Sequence, residues 1–217
     1  MSNGRDAAGR RLTFATAGLA RTRAPWGRAM RAELAALDDP AERESFSRSA
    51  AASAIREGWL PRLALPFAAA VATALLGLLA SRSQLPAGGP GVLSVTVPVP
   101  ALLMLGVALA AAAMTRSFSF GAEVGLTALL AGLAAVFAVT ALEGMVWMRE
   151  RGVFILDGDS PRLPATNTAV VFDLFTTGMW VGHLLVWVPC LLIGAAAGRR
   201  LGAVSYTHLT LPTILLV

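Results

Sequence analysis

The chain has 217 residues, 56% of them hydrophobic, with mean hydropathy +0.66, net charge +5 and an isoelectric point near 11.1. Soluble domains are usually about 45–50% apolar, so this composition points to a membrane class with room for one small soluble module. Cys190 is the only cysteine, which excludes a disulfide framework or a thiolate metal centre.

Met1–Ala24 is rich in Gly, Ala, Thr and Arg and carries no compact apolar core. It reads as disordered, without a secretory signal, its arginines drawn to anionic lipid. From Pro25 to Gly58 the pattern predicts a helical hairpin. Trp26, Met30, Leu34 and Leu37 share one helix face. Asp38-Asp39-Pro40 stops that helix, and Asp39 starts the next as its N-cap, with Pro40 in the first turn and Glu42 in capping-box position. The second apolar face runs through Phe46, Ala50 and Ala54, and Gly58 with Pro61 is expected to end the helix. So short a pair has too little area to be stable alone. It is expected to pack on the membrane face, on its neighbour or on a partner, and Trp26, Met30, Leu34, Leu37 and Phe46 are the candidate face for docking a partner.

The run Trp26-Gly27-Arg28-Ala29-Met30-Arg31-Ala32-Glu33-Leu34, followed by Glu42-Arg43 and Phe46, resembles a helical module that precedes the spans of uncharacterised actinobacterial membrane proteins and of some permease domains. The family form continues Phe-Ala-Leu-Gly, where this chain has Phe46-Ser47-Arg48-Ser49. The resemblance implies several spans after the module and brings no chemistry with it.

Four apolar stretches follow, at 63–81, 93–115, 124–148 and 178–198. Each is near the 20 or so residues a helix needs to cross a hydrocarbon core. The expected fold is all-α, a polytopic membrane protein with four transmembrane helices. Pro98 and Pro100 suit the outer end of the second span, and Pro189 is expected to kink the fourth. Fourteen of eighteen arginines lie before the first span, at Arg116, or at Arg199 and Arg200. Only Arg82, Arg149, Arg151 and Arg162 fall on the other side, so the positive-inside rule puts the N-terminus in the cytoplasm of a bacterial inner membrane. Trp59, Trp147 and Trp180 then fall at interfacial belt positions. Gly152–Leu156 reads as a short strand or interfacial segment. The Asp157-Gly158-Asp159 turn lacks the later acidic ligands of a calcium loop.

The candidate site is an intramembrane polar pair, Glu143 near the outer end of the third span and His183 near the outer start of the fourth. A carboxylate and an imidazole at one depth could pass protons or hold a cation. Glutamine at each, singly and together, would then show strong coupling. Glu123 at the inner start of the third span suits a helix N-terminus. Gly121-x-x-x-Gly125, Gly178-x-x-x-Gly182 and Gly194-x-x-x-Gly198 read as close-packing motifs within the bundle. Cys190 reads as a small packing residue.

Val204–Thr213 resembles the translation of a transposon-based sequencing adapter, and it holds the only tyrosine and one of two histidines. Residues 204–217 are accordingly expected to be non-native. No phosphate loop, dinucleotide fingerprint or hydrolase motif occurs, and no cofactor or metal is implied. Nucleic acid is not expected, because few aromatics interleave with the arginines. The sequence thus points to a non-enzymatic accessory or regulatory subunit whose partners are the lipid bilayer and a docked protein. The alternative is a small transporter or truncated permease using Glu143 and His183.

Overall fold

A computed structural model describes residues 3–85, 95–153, 155 and 179–210, with side chains described over 7–85, 95–153, 155 and 180–202. All regular structure among these is helical. In chain order come α1 (Asn3–Ala17), a 3₁₀ turn (Arg21–Arg23), α2 (Ala24–Ala36), α3 (Pro40–Ala54), a π-turn (Ile55–Trp59) and α4 (Leu60–Gln84). Then follow α5 (Pro98–Thr115), α6 (Phe118–Arg151) and α7 (Met179–Thr210). Four helical segments are long and apolar enough to cross a membrane.

The disorder expected over residues 1–24 is corrected by α1. Ala8, Leu12, Ala15 and Leu19 recur at helical spacing and are all buried. Their strip packs on Met30 and Leu34 of α2 and on Ala50, Ala51 and Ala54 of α3. The hairpin is thereby extended to three helices, because two short helices leave an apolar face that only a third can cover. Burying Leu12 and Leu34 contributes roughly 1.5–3 kcal/mol each. Polar contacts fix the register. The Ser47 hydroxyl donates to the Ala8 carbonyl (2.9 Å), and Asp39 caps α3 by accepting from the Ala41 and Glu42 amides. Arg43 donates to the Leu34 and Leu37 carbonyls, closing the end of α2.

Gly58 and Pro61 do not end the third helix before the first span. A continuous helical run of 45 residues extends from Pro40 to Gln84. The π-turn gives the physical reason. One wider turn lets the Leu60 amide reach the Ile55 carbonyl, so the chain passes a proline with no amide hydrogen without breaking. Gly58 is needed here for a close approach: a β-carbon would strike the backbone of Gly18. Trp59 lies against the same loop, its indole N–H donating to the Phe14 carbonyl (3.1 Å) and its ring stacked on Phe14.

That loop joins the small module to the bundle. Ala20 is buried among Ala111, Phe120 and Val124, and the Thr22 hydroxyl donates to the Thr115 carbonyl (2.9 Å). Arg23 pairs with Glu57 at 2.8 Å. The turn from α5 to α6 takes only Arg116 and Ser117. Arg116 adopts left-handed backbone geometry (φ 54°), and Ser117 caps α6 by accepting from the Phe120 amide. So tight a reversal makes α5 and α6 antiparallel.

The remaining pairings follow from glycine. Gly194, Gly198 and Gly202 on α7 sit against the carbonyls of Leu105, Leu109 and Ala113 on α5, where a β-carbon would collide. Both series advance four residues at a time in the same direction, so α5 and α7 run parallel with backbones in contact. Gly121 and Gly125 pack on Ala112 and Ala108 of α5 in the opposite order, as an antiparallel pair requires. Among the described residues a β-carbon at Gly182 would meet nothing within 4 Å, so it packs on none of the described helices, and Gly178 lies outside the described residues. Pro98 and Pro100 begin α5, where missing amide donors cost least. Of the short strand or interfacial segment expected at 152–156, the described residues form no strand: Gly152 caps α6 in left-handed geometry and Ile155 is buried beside Trp147 and Leu85. The Asp157–Asp159 turn lies outside the described residues.

Two outcomes test this packing. Gly198→Leu should lower the thermal midpoint of the full chain by the equivalent of about 1–3 kcal/mol, whereas Gly182→Ala should leave it unchanged. Secondly, Arg11 and Arg48 donate to the Glu44 carboxylate, and the Arg11 hydrogen bond is the larger cause holding its pKa below the ordinary 4.5. The α1–α3 tie is therefore fully present above pH 4.5 and is lost as pH falls through the lowered pKa. Tryptic cleavage after Arg10 and Arg11 should be slow at neutral pH and no faster in Glu33→Gln, but faster in Glu44→Gln.

Candidate functional site

Glu143 and Trp147 lie one turn apart on α6, on the face that meets α4. Both are buried. Across from them α4 brings Ser81, fully buried, and Arg82, about half exposed. The Trp147 indole N–H donates to Ser81 Oγ (3.0 Å), and Ser81 Oγ donates to Glu143 Oε2 (2.8 Å). Arg82 Nη2 donates to Glu143 Oε1 (2.8 Å). Both carboxylate oxygens are thus occupied, one by a hydroxyl and one by a guanidinium. A buried carboxylate is tolerated only with such compensation.

This arrangement corrects the sequence pairing. Glu143 takes its partners from α4 and not from His183. His183 is buried on α7 and meets Trp187, one turn on, edge to face at 5.0 Å between ring centres. Trp187 is itself buried, packs against Gly132 and donates its indole N–H to the Val97 carbonyl (2.8 Å). Trp147 is not an interfacial anchor: its indole is enclosed because a hydroxyl partner lies inside the bundle. Trp180 is part-buried and stacks on Phe137.

A second ion pair joins the same two helices at the other end. Arg62 Nη2 donates to Glu123 Oε2 (3.0 Å), and its guanidinium lies over the Phe120 ring at 5.0 Å. Glu123 therefore does more than favour its helix terminus. Arg62 and Arg82 are twenty residues apart on α4, as are Glu123 and Glu143 on α6. The equal spacing shows that α4 and α6 are parallel and in register. At 1.5 Å rise per residue the two ties stand about 30 Å apart, close to the thickness of a bilayer hydrocarbon core. The signal was present in the sequence as two twenty-residue intervals, each joining like charges at the ends of an apolar run.

The docking face expected at Trp26, Met30, Leu34, Leu37 and Phe46 is also corrected. Met30 and Leu34 are module core against α1, with Phe46 packed beside them. Trp26 alone among the five remains exposed, and Leu37 is half-buried. Among the described residues no three His, Cys, Asp or Glu side chains gather where a metal could sit. Cys190 is part-buried and packs against the central core.

Comparison with protein families, curated proteins and solved structures gave no match.

The asymmetric burial of the Arg82–Glu143 pair has a measurable consequence. Arg82→Gln leaves a buried carboxylate without its charge partner and should cost about 3 kcal/mol of stability. Glu143→Gln leaves Arg82 free to reach water, and the loss should be nearer 1 kcal/mol. The double variant should lose less than the sum, read by denaturation in mild detergent, while His183→Gln should be additive with Glu143→Gln. Equal losses for the two single variants would show that Glu143 is solvated.

Proposed function

We propose that this chain is a multi-pass protein of a bacterial cytoplasmic membrane, N-terminus inside, that acts without enzyme chemistry as an accessory or regulatory subunit. The observation that carries this reading is the latch between the N-terminal helices and the bundle. Ala20 inserts beside the α5–α6 turn and Thr22 binds the last turn of α5. A protein that grips the module would thereby bear on the bundle itself. The surface left for such a partner is Trp26 with the outer side of α2, where Arg28, Ala29, Ala32 and Glu33 are exposed. The orientation is supported by the arginine asymmetry. A structural use of both span carboxylates supports the absence of catalysis, since Glu123 and Glu143 are held by arginines.

The competing reading is a small transporter or truncated permease using Glu143 and His183. Their burial is the observation in its favour. It requires the Arg82–Glu143 tie to open during each cycle.

Single cysteines introduced in a Cys190→Ser background test the orientation. In intact cells an impermeant maleimide should label Arg151→Cys and leave Ser49→Cys unlabelled; the reverse pattern would overturn it. Affinity isolation in mild detergent should recover a stoichiometric protein partner that Trp26→Ala releases without changing the melting midpoint. Isolation of the chain alone, with substrate flux abolished by Glu143→Gln in vesicles, would establish the transporter instead.

A further inference from the structure

Two adjoining grooves run along the outward face of α7 at the arginine-rich end. One, of about 380 Å³, lies between Phe118 at the start of α6 and Ala196, Arg199 and Arg200. The other, of about 500 Å³, is lined by Ile193, Ala196, Ala197, Arg200 and Leu201. They share Ala196 and Arg200, so they form one continuous depression. Its origin is the glycine packing: Gly194 and Gly198 sit against α5, and between Ile193 and the two arginines the outward side of α7 carries only the small side chains of Ala196 and Ala197. The wall is apolar and the mouth is cationic.

Among the described residues nothing neutralises the charge at that mouth. Arg199 and Arg200 are exposed and have no ion-pair partner among the described residues. The nearby acids of this end are already taken, Glu57 by Arg23 and Glu123 by Arg62. The amino-terminal end of the 34-residue α6 opens beside Phe118 and adds partial positive charge. An apolar groove that ends at two exposed guanidinium groups matches a molecule with an apolar tail and an anionic head.

We propose that this groove binds an anionic phospholipid, with one acyl chain along Ile193, Ala196 and Ala197 and the phosphate between Arg199 and Arg200. The proposal rests on the membrane reading above. Arginine suits the head because its fork meets two phosphate oxygens at once. The depth suits it as well, since the arginines stand at the end marked by the Arg62–Glu123 tie. A zwitterionic lipid offers the same tail but carries its own cation beside the phosphate, which weakens its hold here. The bound lipid would splint the α6–α7 contact at this end.

Native mass spectrometry of the full chain in mild detergent tests this, with phosphatidylglycerol or phosphatidylcholine of matched chains added. Two near-surface arginines should favour retention of phosphatidylglycerol by about tenfold or more. Arg199→Gln with Arg200→Gln should bring retention down to the phosphatidylcholine level. Arg149→Gln with Arg151→Gln, at the opposite end, should leave it unchanged. Ala196→Trp should fill the groove and lower retention although both arginines remain. Equal retention of the two lipids, or equal losses from the two arginine pairs, would overturn the site while leaving the membrane reading standing. Recovery of the chain in a detergent-free soluble fraction would sink the membrane reading itself.

Discussion

Two arginine–glutamate ties, twenty residues apart on parallel helices, hold the frame on which the rest of the molecule depends. Each joins α4 to α6, and between them lies an apolar interval about as long as a bilayer core is thick. Apolar side chains along that interval offer the backbone no polar partners, so its hydrogen bonds close inside each helix. The charged pairs stand at its two ends, each joining a more buried partner, Arg62 or Glu143, to a more exposed one, Glu123 or Arg82. The result is a pair of helices whose relative height is fixed: sliding either by one turn would break both ties together.

The other helix pair is held by a different force. α5 and α7 approach through glycines set against carbonyls, and close contact of backbones supplies dispersion that larger side chains would forbid. The antiparallel α5–α6 turn links the two pairs. Because the N-terminal module inserts Ala20 and Thr22 at that same turn, the module and the apolar bundle meet where both pairs converge. The module thereby bears on the turn itself and not on a free-standing helix.

Several elements were legible from residues alone. The Asp39 cap, the placement of Pro98 and Pro100 at one end of their helix, and the packing use of Gly121, Gly125, Gly194 and Gly198 depend on local chemistry, which sequence carries directly. The first helix was missed because Ala8 and Ala15 give a weak apolar signal. Small residues read as neutral until a neighbour covers them. The continuous helix through Gly58 and Pro61 was missed because two helix-ending residues were weighed separately, while a π-turn accommodates them jointly.

The chain by itself determined the four apolar stretches and the arginine bias between their ends, because these follow from composition along a one-dimensional string. Only the tertiary structure decided which charge meets which. Glu143 and His183 share a helix-end depth by sequence, but depth leaves the angle about each helix axis undetermined. That rotation turns Glu143 toward Ser81 and Arg82 and encloses Trp147 with them. It likewise turns Met30 and Leu34 inward onto α1. A partner across a helix interface depends on rotation and register, and those are set only when all the packed faces are satisfied at once.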